Sequence, residues 1–145
     1  MKKTKGGFYI SQVKQLSDRV FQRLLKEDGI NDFNGPQGRI LYVLWQEDNL
    51  PIIEISKRTS LAKTTLTSML DRMEMAGHIK RNFDTNNRRQ ILITLTPETR
   101  ALKNKYEIVS NEMSELFYKD FSDEEITDFE KYLYRIIKNL KEIEE

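Results

Sequence analysis

The chain has 145 residues, 38% hydrophobic and 32% charged, with aromatic content of 10%, enough for one domain that buries its own core without staples. It has no cysteine, which excludes disulfide frameworks, thiolate metal sites, thiol catalysis and direct cysteine redox sensing. The formal net charge of +1 hides an asymmetry: residues 1–100 carry 17 Lys/Arg against 11 Asp/Glu, residues 101–145 carry 7 against 12, and residues 55–90 carry 8 against 3. The middle of the chain is therefore where phosphate contact is expected.

The N-terminal Met-Lys-Lys-Thr-Lys-Gly-Gly has no apolar stretch behind it and does not read as a signal peptide. The longest apolar run, Ile40 to Trp45, is far short of a membrane span, so the expectation is a soluble cytoplasmic protein with no membrane partner. Tyr9, Val13, Leu16, Val20 and Leu24 recur at helical spacing and predict a helix from about Phe8 to Glu27, stopping near Gly29. Asp28–Asp32 lacks the glycine and glutamate spacing of a calcium loop and reads as a turn. Asn34-Gly35-Pro36 reads as a helix start with proline at the first helical position. The helix that follows is apolar nearly all round (Ile40, Leu41, Val43, Leu44, Trp45), hence central and buried. Pro51 opens a short segment with Ile52, Ile53 and Ile55.

From Lys63 to Ala76 the helical period returns, with Leu66, Met69, Leu70 and Met73 on one face and Gly77 as the stop. Then Ile91, Ile93 and Leu95 alternate as in a strand, and Asp84-Thr85-Asn86-Asn87 is turn chemistry linking Ile79–Phe83 to it, a two-stranded hairpin. Thr96-Pro97-Glu98 starts a long helix carrying Leu102, Tyr106, Val109, Met113 and Leu116. Ser122 to Glu125 is a capping box for the last helix, with Ile126, Phe129, Leu133, Ile136, Leu140 and Ile143. The predicted order is three helices, a short pair of helices, a hairpin and two long helices.

Function is concentrated in Ile55–Arg81. Two helices joined by a tight turn at Ser60–Ala62 form a helix-turn-helix whose second helix can enter a major groove. Lys63, Thr64, Thr65, Thr67, Ser68 and Arg72 stay polar near the start of that helix: small hydroxyls permit close approach, and the cations supply charge-assisted bonds. The hairpin tip adds Asn86, Asn87, Arg88 and Arg89, suited to an adjacent minor groove. A helical hairpin whose polar face merely meets water would show the first pattern, but rarely with a basic wing directly behind it.

The stretch Ile55–Arg81 (ISKRTSLAKTTLTSMLDRMEMAGHIKR) followed by Asn87–Thr96 (NRRQILITLT) resembles the MarR family of winged-helix transcriptional regulators. Pro36-Gln37-Gly38-Arg39-Ile40-Leu41 and the flanking long helices also fit, so the likeness runs over nearly the whole chain. It is most specific at Asp71-Arg72, Gly77 and the wing arginines leading into Leu95-Thr96. The resemblance implies a homodimer on a pseudo-palindromic operator in double-stranded DNA, often released by a small phenolic or lipophilic effector. By position, Arg89 matches the wing arginine that enters the minor groove, and Thr64, Thr65, Thr67 and Ser68 match recognition-helix positions facing the major groove. Three departures stand out. Asn87 replaces a frequent aspartate, so Arg89 would be oriented by Asn87 or, alternatively, by Asp84. Ala62 replaces the usual serine N-cap, an absence that typically costs ~1 kcal/mol. Ser68 stands where many members carry arginine.

Other candidates have plainer readings. His78, the only histidine, reads as a helix-end or surface residue rather than a metal ligand. Asp123, Glu124, Glu125 and Asp128 serve a helix dipole, and Met69, Met73 and Met113 serve the core. There is no nucleophilic triad and no phosphate-binding glycine loop, so neither an enzyme nor a cofactor or metal is expected.

The expected fold is mainly α with a small two-stranded β-wing, a single domain over 1–145. A winged helix-turn-helix at 35–97 is flanked by dimerisation helices at 8–34 and 98–143, with Tyr9, Val13, Phe129, Leu133, Ile136 and Leu140 in the dimer contact. The expected function is sequence-specific DNA binding that represses, or less often activates, transcription. The alternatives are a helical protein–protein adaptor whose winged domain has lost DNA binding and, further off, a hydrolase. With one histidine and no cysteine, neither zinc nor thiol oxidation can supply the switch. The expected effector is an organic ligand between the long helices and the winged domain.

Overall fold

The computed structural model describes residues 1–87 and 89–144. Its elements are α1 (Gly6–Glu27), α2 (Gly35–Gln46), β1 (Leu50–Pro51), α3 (Ile52–Thr59), α4 (Lys63–Met75), β2 (Ile79–Phe83), β3 (Ile91–Leu95), α5 (Pro97–Arg100), α6 (Lys103–Phe117) and α7 (Asp123–Glu144). Two helices, not three, precede the short pair, because the segment opened by Pro51 is itself the first member of that pair. The sheet holds three strands in the order β1-β3-β2, all antiparallel, rather than a bare hairpin. The long helix expected after Thr96 is broken at Ala101–Leu102 into α5 and α6. Contacts divide the chain into two compact units, Met1–Asn111 and Glu112–Glu145.

In the first unit, local chemistry sets the helix ends. Asn34 caps α2 by accepting from the Gln37 N–H at 2.9 Å while the Gln37 side chain accepts from the Asn34 N–H at 3.1 Å, with Gly35 as first helical residue and Pro36 behind it. Gly77 closes α4 at φ 83°, where a side chain would strain the backbone, and the His78 N–H reaches back to the Met73 carbonyl at 2.9 Å. Thr96 caps α5 by accepting from the Thr99 N–H.

The core of this unit is built on α2, whose Ile40, Leu41 and Leu44 are fully buried, as its near-continuous apolar sequence predicts. Leu25, Ile55, Leu66, Leu70, Met73, Ile79 and Ile93 close around them. An aromatic cluster joins α1, α2 and α6: Tyr106 lies 5.6 Å from Phe21, 6.1 Å from Phe33 and 4.9 Å from Trp45 between ring centroids. The Trp45 indole donates to the Thr99 carbonyl at 3.1 Å. Burial pushes the Tyr106 phenol up to about 12. The cluster is possible because position 38 is glycine: a Cβ there would lie 2.9 Å from the Tyr106 ring.

In the second unit, the capping box is present, with the Glu125 N–H donating to Ser122 Oγ at 3.1 Å and the Ser122 N–H to Glu125 Oε1 at 2.8 Å. Tyr118 stacks edge-on with Phe117, Phe121 and Phe129 and donates to Glu130 at 2.8 Å. α7 has no fully buried residue: Ile136, Ile137, Leu140 and Ile143 are exposed on one wide face. α1 likewise exposes Tyr9, Val13, Leu16 and Val20. Among the described residues, no helix is long and apolar enough to cross a membrane.

Candidate nucleic-acid interface

The α3–α4 turn is fixed by hydroxyls. Thr59 Oγ1 donates to the Ile55 carbonyl at 2.8 Å and accepts from the Leu61 N–H at 3.3 Å, while Ser56 Oγ donates to the Leu61 carbonyl at 2.7 Å. These bonds hold Ser60 in the left-handed region, φ 59°, and turn the chain into α4. Ala62 stands at the N-cap in extended geometry and makes no side-chain cap.

α4 is cleanly two-faced. Leu66, Met69, Leu70 and Met73 are buried, whereas Lys63, Thr64, Thr65, Thr67, Ser68 and Arg72 are exposed. Thr67 Oγ1 donates to the Lys63 carbonyl at 2.8 Å, so its hydroxyl proton is committed to the helix and its acceptor side and methyl face outward. The Arg72 guanidinium has no hydrogen bond or ion pair among the described residues, unlike those of Arg81, Arg58 and Arg100, which are all bound to carboxylates.

Arg81 is the site residue that sequence reading passed over. It projects from β2, 22% exposed, and its guanidinium binds Asp71 at 2.7 Å and Glu74 at 2.8 Å on α4. Its backbone N–H donates to the second Glu74 oxygen at 3.1 Å. Partial burial opposes the charge, but the bonds from Asp71 and Glu74 outweigh it and hold the group more firmly protonated than a free arginine. The wing base is thus locked to α4, and two acids near its polar face are neutralised. Only a wing arginine spaced seven and ten residues from carboxylates hints at this, and no helical or strand period connects them.

The wing's far edge is tied to the body by a chain from Asn82 to Thr94 at 3.0 Å and from Thr94 to Asn49 at 3.1 Å. Asp48 accepts from the Leu95 N–H at 3.0 Å and pairs with Arg100 at 2.8 Å. At the tip, Asp84 accepts from the Asn86 N–H at 2.9 Å and Asn87 accepts from the Arg89 N–H at 3.1 Å. Both candidate orienting residues therefore act on the turn backbone. The Arg89 guanidinium is exposed and has no partner among the described residues, and Asn86 and Asn87 are exposed beside it. Arg88 lies outside the described residues.

His78 is not a surface residue: it is 7% exposed. The helix stop and the bond from the Thr96 N–H to its carbonyl at 3.1 Å draw its backbone inward, and its ring meets Phe33 edge-on at 6.1 Å. Its Nε2 is buried with no hydrogen-bond partner among the described residues. Beside it is a cavity of about 610 Å³ lined by Gly77, His78, Lys80, Thr96, Thr99 and Leu102, among others. Among the described residues, no cluster of three or more His, Cys, Asp or Glu could hold a metal ion.

The MarR family model matches residues 33–91, the span from just before α2 to the first residue of β3. The chain is similar to the HTH-type transcriptional regulator TtmR of Methylorubrum extorquens (strain PA1), 39% identical over 87 residues, which are 60% of this chain and 43% of that regulator. It is similar also to the organic hydroperoxide resistance transcriptional regulator of Bacillus subtilis (strain 168), 30% identical over 105 residues, covering 72% of this chain and 70% of the relative. Among solved structures, reduced AbfR bound to DNA matches with a TM-score of 0.76 at 25% identity, covering 97% of this chain and 93% of that one. A recognition-type helix followed by a clamped wing, read together with these matches, places the chain in the MarR family of winged-helix transcriptional regulators.

Proposed function

We propose that this protein is a sequence-specific DNA-binding regulator of transcription, a repressor in the first instance. The observation that carries this reading is the Arg81 clamp, which ties the base of the wing that bears Arg89 to α4, the helix with the exposed Lys63–Arg72 face. α4 enters the major groove with Thr64, Thr65, Thr67 and Ser68 toward base edges and Lys63 and Arg72 toward phosphates, while Arg89 reaches the neighbouring minor groove with Asn86, Asn87 and Arg88 at its flanks. The likeness to AbfR, which was solved bound to DNA, supports DNA as the partner.

The protein acts as a homodimer on a pseudo-palindromic operator. The exposed apolar stripes on α1 and α7 support this, since a soluble chain rarely leaves so much apolar surface open. Tyr9 and Val13 on α1, and Phe129, Leu133, Ile136 and Leu140 on α7, are the contacts, so helices 8–34 and 98–143 form the dimerisation part and 35–97 the DNA-binding part. Regulation is by a small organic ligand. The cavity at His78 supports this, since its lining joins the end of α4 to the base of β2 and a ligand there bears on both.

The test is selection of bound duplexes from a random library, with sedimentation of the free protein. The expected result is an inverted repeat with half-sites about one DNA turn apart and a dimer at micromolar concentration. Recovery of no preferred sequence, or a stable monomer, contradicts the reading.

A further inference from the structure

The wing carries an apolar pair that the helix-turn-helix chemistry does not use. Phe83 and Ile91 are directly opposed in the β2–β3 ladder, at the last rung before the turn. They are exposed, Phe83 at 74% and Ile91 at 38%. The pleat puts Phe83 on the same face as Ile79 and Arg81, and Ile91 on the same face as Ile93 and Leu95. That is the face packed into the core at the wing base, where Ile79, Ile93 and Leu95 are buried and Arg81 grips α4. One rung further out, the same face emerges from cover and carries an aromatic ring and a branched aliphatic side chain.

We propose that Phe83 and Ile91 pack against the apolar C–H faces of deoxyribose sugars at the edge of the groove that Arg89 enters, an inference that rests on the DNA-binding reading above. Continuity and charge select this occupant. The pair borders the turn bearing Asn86, Asn87 and Arg89, and the Arg89 guanidinium is an exposed cation with no partner among the described residues. Asp84, next to Phe83 in the chain, accepts from the Asn86 N–H and so faces the turn backbone. An apolar pair beside the exposed Arg89 suits a polyanion whose sugars offer non-polar surface between phosphates, and proteins that bind the minor groove combine cations with apolar side chains in contact with the DNA. The contact contributes affinity without neutralising phosphate, so it carries no counterion release.

The experiment compares wild type, Phe83→Ala, Phe83→Leu, Ile91→Ala and Arg89→Ala by fluorescence anisotropy, on a duplex selected by the wild type, at several salt concentrations. Phe83→Ala should weaken binding about tenfold, the scale of losing roughly 50 Å² of apolar contact, and Ile91→Ala about threefold. Both should leave the slope of log K against log salt unchanged. Phe83→Leu, which keeps an apolar cross-strand contact, should stay within about threefold of wild type, with all variants unfolding cooperatively. Arg89→Ala should instead flatten the slope by about one ion. Wild-type affinity in Phe83→Ala, a flattened slope in it, or equal losses in Phe83→Leu and Phe83→Ala would overturn the proposal. So would a Phe83→Ala that sediments as a smaller species, which would assign the pair to a contact between copies. Absence of duplex binding by the wild type overturns both readings, whereas wild-type binding with an unimpaired Phe83→Ala overturns this one alone.

Discussion

Replacing Arg81 with methionine keeps the stem that packs along the wing base and removes only the guanidinium. Two contacts go, to Asp71 at 2.7 Å and to Glu74 at 2.8 Å, while the backbone bond from residue 81 to Glu74 can persist. Surface ion pairs are worth about 0–1 kcal/mol each. Arg81 is only 22% exposed and grips two acids at once, so the upper part of that range applies, for a combined loss of about 1–2 kcal/mol. Ile79, Ile93 and Leu95 remain buried, so the fold survives. What loosens is the angle between α4 and the wing, and Asp71 and Glu74 are left unneutralised on α4 itself. Operator affinity should therefore fall about tenfold or more at low salt. Urea denaturation gives the stability change, anisotropy the affinity. A double-mutant cycle with Asp71→Asn should show a coupling of about 0.5–1 kcal/mol, the pair being in direct contact. Unchanged stability and affinity in Arg81→Met, or a coupling of zero, would refute the idea that this residue holds α4 and the wing together.

Ala62→Ser should stabilise the protein by ~0.5–1 kcal/mol, raising the urea midpoint without changing the slope, because the N-cap backbone is already extended at φ −61° and ψ 145° and lacks only the oxygen. Gly38→Ala should lower stability by about 1 kcal/mol, the reverse of the usual helical gain: the new methyl meets the Tyr106 ring at 2.9 Å, and the aromatic cluster leaves that ring little room to move. The Asp18 carboxyl gives a pH signature. Partial burial opposes its ionisation, but bonds from Lys14 and Arg39 prevail and hold its pKa below the ordinary 3.8. A lowered carboxylate pKa contributes stability above the unfolded value and loses it as pH falls through the folded one. The gap in unfolding free energy between wild type and Asp18→Asn should thus be constant from neutral pH to about 5 and close below about 4.

Much of the site was legible because it is local. The burial of Leu66, Met69, Leu70 and Met73 follows from a 3.6-residue period, the stop at Gly77 from a glycine at positive φ, and the hairpin from the alternation in Ile91–Leu95. What escaped is long-range. β1 is two residues ending in proline, with no alternation to read, and exists because Leu50 finds Ile93 across the sheet. The break at Ala101–Leu102 leaves the apolar spacing of α6 intact, so the pattern gives no sign of it. The burial of His78 is decided by Phe33 and by Thr96, far off in sequence, and a lone polar residue has no period of its own. Arg81 was visible as a cation but not as a clamp, since its partners lie on another element. That Arg89 stands exposed on the wing turn agrees with the position the resemblance implies, while the use of Asp84 and Asn87 on the turn backbone needed coordinates.

The central claim, that α4 and the wing bind duplex DNA through an ordered array of cations, is tested most directly by the salt dependence of that binding. The log of the association constant of the wild type for its selected duplex should fall linearly with log salt, with a slope near −0.9 per phosphate neutralised, and Arg89→Ala should flatten that slope by about one ion while weakening binding by ~1–3 kcal/mol. Binding that is absent, or that is indifferent to salt and to Arg89, would contradict the account.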